Sequence, residues 1–104
     1  MASEIIYQGC SFGISVTDLP AGVSYVAALY SESTNQAFRV SATDNGVAKE
    51  FVWNGATTKT MPIGVYRLEI YAGTLTGATT DLIVVQCNYA EVRSSNFMAN
   101  NLPT

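Results

Sequence analysis

The chain has no histidine and only two cysteines, and charged residues make up just 12% of its 104 positions. Each of these shortages excludes something. Without histidine, the side chain most used as a general base near neutral pH, and a very common metal ligand, is gone. Cys10 and Cys87 are far apart and form no CxxC pair, so a zinc site is not expected. The five basic residues, Arg39, Lys49, Lys59, Arg67 and Arg93, stand singly in a chain of net charge -3, and such scatter cannot build the stripe that phosphate binding needs. No nucleic-acid partner is expected. The longest apolar run is a handful of residues and no basic amphipathic face appears, so no membrane partner is expected either.

"MASEIIYQGC" lacks the charged start and apolar stretch of a signal peptide. Read as a natural start, it implies a protein made in a reducing cytosol and staying there unless lysis releases it. Cys10 and Cys87 are then expected to be free, buried thiols. A disulfide between them stays open as the alternative, should the first and last strands lie side by side. GxSxG does not occur, and no glycine-rich phosphate loop precedes a helix. Of the eight carboxylates, Asp18, Glu32, Asp44, Glu50 and Asp81 sit near expected loops or strand ends, in no calcium pattern. No catalytic residue, metal ligand or cofactor site is assigned, and an enzyme is not expected.

What the chain does have is alternation. Hydrophobic residues make up 48% of it, enough for the core of one domain. Low charge in so small a domain suggests that a neighbour covers part of the surface; the alternative is a soluble monomer with a Thr/Ser/Asn-rich exterior. "EIIYQ" from Glu4 opens the strand pattern. "SFGISVT" follows, with Phe12, Ile14 and Val16 on one face. "VSYVAALYS" sets Tyr25, Ala27 and Leu29 against Val26, Ala28 and Tyr30, and "AFRVSA" turns Phe38, Val40 and Ala42 inward with Arg39 outward. "TDNG" at 43–46 reads as a tight turn before "VAKEFVW". A Thr-rich loop, the segment "TMPIGVYRLEIYAG", the connection "GTLTGATT" and the strand "DLIVVQCNY" complete the series. Seven strands without a helical spacing anywhere predict an all-β sandwich over residues 1–90, followed by a C-terminal extended arm over 91–104.

In Met61–Tyr66, Pro62 presets φ, Gly64 supplies a conformation that a β-carbon disfavours, and Tyr66 begins the sixth strand. A tyrosine buried here needs a partner for its hydroxyl, since an unpaired one costs about 1–3 kcal/mol. "MPIGVYRLEIYA" is similar to the LxPGxxYxVxVxA run of fibronectin type III domains, and resembles the corner of small Ig-like modules in tailed-phage virion proteins. The resemblance implies a seven-stranded immunoglobulin-like antiparallel sandwich in which Pro62, Gly64 and Tyr66 form a structural corner. It also implies that the Tyr66 hydroxyl bonds to backbone a few residues upstream.

Tyr30 and Tyr71, opposite the main apolar set, are expected to be exposed and to touch a protein. Phe97, Met98 and Leu102 in the tail are expected to anchor the arm on a neighbouring subunit. Together with the resemblance, these readings predict a non-enzymatic virion protein made in the host cytoplasm. Its expected role is an auxiliary (decoration) capsid protein docked on the major capsid protein or other virion subunits. Alternatives are a neck, tail or baseplate subunit, or a bacterial carbohydrate- or surface-binding sandwich holding its ligand through "TDNG", "GATTKT" or the tyrosines. A weak glycan contact through loops is left open for the virion protein too.

Overall fold

The computed structural model describes residues 4–77 and 81–94. In chain order the elements are β1 (Glu4–Tyr7), β2 (Phe12–Thr17), β3 (Tyr25–Ser31), β4 (Gln36–Ser41), β5 (Thr43–Asn45), β6 (Ala48–Trp53), α1 (Gly55–Thr60), β7 (Gly64–Ala72) and β8 (Leu82–Arg93). They build one five-stranded sheet in the order β1-β8-β7-β3-β4 and one three-stranded sheet in the order β2-β6-β5. The fold is all-β, and the core lies between the two sheets.

The alternation read from the sequence explains how each strand contributes. Phe12, Ile14 and Val16 from β2 and Phe38 and Val40 from β4 pack on a buried cluster that includes Leu29, Phe51, Trp53, Tyr66, Leu68, Ile70 and Val92. Each fully buried side chain of this size is worth about 1.5–3 kcal/mol relative to exposure. Trp53 ties the two sheets together: its Nε1 donates to the Phe38 carbonyl at 2.9 Å, and its ring lies 5.9 Å from that of Phe12.

Several expectations need correction. Among the described residues there are eight strands instead of seven, because Thr43–Asn45 pairs with β6 as a strand of its own, and the tight turn falls two residues later, centred on Gly46–Val47. The large sheet is mixed rather than antiparallel, since β1 runs parallel to β8 with Ile6 beside Val92. β8 continues to Arg93, three residues into the stretch assigned to the arm.

"GATTKT" is a short helix, not a loop. Asn54 caps it by accepting from Thr57 N at 2.9 Å, a local bond that compensates for the poor helix propensity of threonine. The helix is fastened to the β1–β2 turn through buried Thr58. Its hydroxyl accepts from Gly9 N at 3.1 Å and donates to Cys10 O at 2.9 Å. The approach is so close that a β-carbon on Gly55 would stand 2.5 Å from Gly9 O, so only glycine fits.

Both cysteines are free but exposed, not buried. Cys10 lies in the turn after β1, and Cys87 lies six residues upstream of Arg93, the partner of Tyr7. The first and last strands do lie side by side, yet parallel pairing sets the thiols about 20 Å apart along the strands, and a disulfide is out of reach.

Candidate interaction surface

The corner before β7 is built by its own sequence. Gly64 adopts φ +143°, a value that side chains rarely accept. The Tyr66 hydroxyl donates to Pro62 O at 2.6 Å, and burial pushes its pKa from 10.0 up to about 12. A second tyrosine is held alike, with Tyr25 Oη donating to Pro20 O at 2.9 Å. These bonds fix the inner face of the large sheet and so set which residues of β7 face outward.

Those outward residues are Arg67, Glu69 and Tyr71, alternating with core-facing Leu68 and Ile70. Arg67 stands over the Tyr30 ring, with its guanidinium carbon 4.8 Å from the ring centroid. Its Nη1 meets Glu32 Oε1 at 2.5 Å and its Nε meets Glu69 Oε2 at 2.8 Å. The Tyr71 hydroxyl donates to Glu69, and Tyr30 Oη donates to Asn35 Oδ1 at 2.5 Å. Burial first, and then its bond to Glu69, raise the Tyr71 pKa. Beneath this layer Val26 and Ala28 are fully buried, although they point away from the main core.

β8 runs past this cluster with two irregularities. Its register with β7 shifts between Ile70 and Tyr71, where Ile83 is the extra residue, and again between Tyr66 and Leu68, where Asn88 takes a left-handed φ of 52°. A hollow of about 320 Å3 opens there between Tyr30, Glu32, Val65, Arg67 and Cys87. Among the described residues no hydrogen bond joins Cys87 to Glu32 there, and Arg67 is already committed to two carboxylates. Among the described residues no group of three or more His, Cys, Asp or Glu side chains is placed to hold a metal, and no helix is long and apolar enough to cross a membrane.

Tyr30 and Tyr71 do share the outer face, but both are half-buried with their hydroxyls engaged, not exposed. Tyr30 pairs with Arg67 and Val26 with Tyr71, so the two tyrosines stand four residues apart along β3, about 13 Å. "TDNG" and "GATTKT" flank β6 at opposite ends, about 20 Å apart, and cannot grip one small ligand together. Phe97, Met98 and Leu102 lie outside the described residues.

Exposed apolar residues lie along β8 in two groups, one where β1, β8 and β7 meet and one toward the start of β8. Ile5 and Val65 flank Glu91, and Val85 stands beside Glu69. With Leu82 and Ile83 these side chains remain 43–52% exposed. Sequence reasoning singled out none of them. The signal was the alternation in "YRLEIYA", which places Arg67, Glu69 and Tyr71 on one side. No family model matches the chain, and no curated protein matches it.

Proposed function

We propose that the protein is a non-enzymatic immunoglobulin-like sandwich that works by docking on a larger assembly. The assembly in this reading is a tailed-phage virion, where the protein decorates the shell. The observation that carries docking is the exposed apolar group of Leu82, Ile83 and Val85 in the first half of β8, with Ile5 and Val65 exposed beside its far end, on a chain with few charges. Apolar surface gathered in one place is the usual mark of a protein contact. The immunoglobulin-like assignment is supported by two sheets around one core and by the Tyr66–Pro62 bond that follows a Pro-x-Gly corner. The virion setting is supported by the resemblance of that corner to phage Ig-like modules.

The mechanism is additive. Each copy buries a modest interface, and many copies raise the cost of separating the subunits that they bridge. The partly buried cluster of Arg67, Glu69 and Tyr71 keeps the face rigid, so little order has to be imposed on binding. Sedimentation of the protein from its source, with mass spectrometry of what travels with it, tests the reading. Co-migration with capsid-sized particles in many copies is the expected result. Travel with neck, tail or baseplate fractions would relocate it within the particle. A lone monomer without companions would overturn the docking role and favour a ligand-binding module.

A further inference from the structure

We infer that the open edge of β2 is a strand-acceptor site, and that residues 95–104 of a second copy of this chain fill it as a fourth strand of the small sheet. β2 stands at the end of the order β2-β6-β5, and among the described residues β6 is the one strand paired with it. That pairing runs without a register shift from Phe12 beside Trp53 to Thr17 beside Ala48, and β2 holds no charge and no proline. Such an edge presents unpaired main-chain groups that another extended backbone completes.

The edge opens onto a slot between the two sheets. β6 faces β4, where Trp53 Nε1 meets Phe38 O, so the open side of β2 points toward β8 and β1 at the other end of the large sheet. Phe12, Ile14 and Val16 face the core from this edge, yet each is only half-buried. Across the slot, Val84 and Gln86 stand opposite Ile70 and Leu68 and share their core-facing side. Ile70 and Leu68 are buried, whereas Val84 is half-buried and Gln86 is exposed. With five strands in one sheet and three in the other, the small sheet stops short of covering β8.

Fit and connectivity together name the occupant. Residues 95–104 carry no charge, and Phe97 and Ala99 fall two apart, so one side of an extended segment turns both toward Ile14, Val16 and Val84. Fully extended, residues 95–104 reach about 33 Å, against about 20 Å for β2. Connectivity then decides which copy supplies them. β8 ends beside the β1–β2 turn, where Gln8 N donates to Arg93 O at 3.0 Å. β1 lies outside β8 in the large sheet, and the slot lies outside β2 in the small one. A link from β8 to the slot of its own molecule would therefore cross the turn from β1 to β2 at the same end, which chain connections avoid. That turn is also fastened to α1, through the bonds of Thr58 to Gly9 and Cys10. A segment from a second copy meets no such bar. Slot and segment belong to one chain, so each copy gives one strand and takes one. A single strand of this length buries less than the roughly 1,200 Å2 of a stable complex, so the exchange is weak and concentration-dependent. The inference stands apart from the virion reading and is tested on the isolated protein.

Sedimentation equilibrium from about 10 μM to about 1 mM covers the affinities of so small a contact. The full-length wild type is expected to associate across this range. The full-length variant Phe97→Asp/Ala99→Asp is expected to stay monomeric, because a carboxylate does not enter an apolar slot. Hydrogen exchange then locates the contact. The alternate amides of β2 that point away from β6 are expected to slow about tenfold over the same range in the wild type and not in the variant. A wild type that stays monomeric throughout, or an association that the variant leaves intact, overturns the proposal. Exchange within 12–17 that is independent of concentration overturns it too: fast exchange means an edge that stays open, and slow exchange an edge covered within one molecule. Should the variant fail to fold, the concentration dependence of exchange in the wild type decides alone. Protection of β2 that appears only on a particle assigns the slot to another subunit, which overturns self-exchange while leaving the docking reading in place.

Discussion

Toward the small sheet, β3 presents Tyr25, Ala27 and Leu29 to a dry core in which shape and burial decide stability; toward the outside, the same strand presents Val26 and Ala28, equally inaccessible, under a lid of charged and aromatic side chains. The inner face is closed by apolar packing, and its tyrosine hydroxyls are bonded to main-chain carbonyls. The outer face is closed by Arg67, Glu69, Tyr71 and Tyr30 bonded chiefly to one another and to Glu32. Equal burial therefore does not mean equal energy. Deleting an inner atom leaves a hole, whereas deleting an outer one lets water in.

The sharpest way to break this comparison is to shorten one apolar side chain on each side. Leu29→Ala on the inner face is expected to cost about 2–5 kcal/mol, since its cavity cannot fill with solvent. Val85→Ala on the outer face is expected to stay within about 0.5 kcal/mol. Urea unfolding of the two variants measures both, and similar losses would mean that the outer face is as tightly covered as the core.

How far this contrast was legible beforehand depended on what each signal measures. Alternation is local, and it placed Phe12, Ile14 and Val16, then Tyr25, Ala27 and Leu29, on the correct sides. The corner was legible because Pro62, Gly64 and Tyr66 each act within a few residues. A strand's neighbours are not local. The run "LIVVQC" has the composition of a buried central strand, yet it has β7 alone beside it among the described residues, because β1 joins β8 only from Ala90. The helix over "GATTKT" escaped notice because no apolar periodicity supports six residues; its stability comes from the Asn54 cap and from Thr58 locked to the β1–β2 turn. The exposure of Cys87 follows from the same non-local placement, since nothing in its sequence neighbourhood tells which edge of the sheet it occupies.

A smaller effect sharpens the inner side. Tyr66→Phe removes the donor to Pro62 O and is expected to cost about 1–3 kcal/mol at pH 8. The same hydroxyl gives a pH signature. In the unfolded chain it loses its proton near pH 10, but burial holds it until about pH 12 in the fold. Between these values the unfolded state binds fewer protons, so stability is fully present below pH 10 and falls as pH rises toward 12. Urea midpoints at pH 8, 10 and 11 are expected to decline steeply for the wild type and less steeply for Tyr66→Phe. Tyr71 and Tyr89, whose pKa values burial also raises, leave part of the slope in place. An unchanged slope in the variant would assign the alkaline loss to the other tyrosines.

The smallest effects divide the outer face within itself. Arg67 has two carboxylate partners of very different setting: the Glu69 side chain is 12% exposed and Glu32 is 70% exposed. Glu69 also accepts the Tyr71 hydroxyl, so Glu69→Gln disturbs two contacts in a poorly hydrated place and is expected to cost about 1 kcal/mol. Glu32→Gln removes one solvated pair and is expected to cost less than about 0.5 kcal/mol, a difference that fades in high salt. Unfolding of both variants at low and high salt separates the two cases. If Glu32 proves as costly as Glu69, then the hollow beside Tyr30 is drier than its geometry implies, and the outer lid reaches as far as the β3–β4 turn.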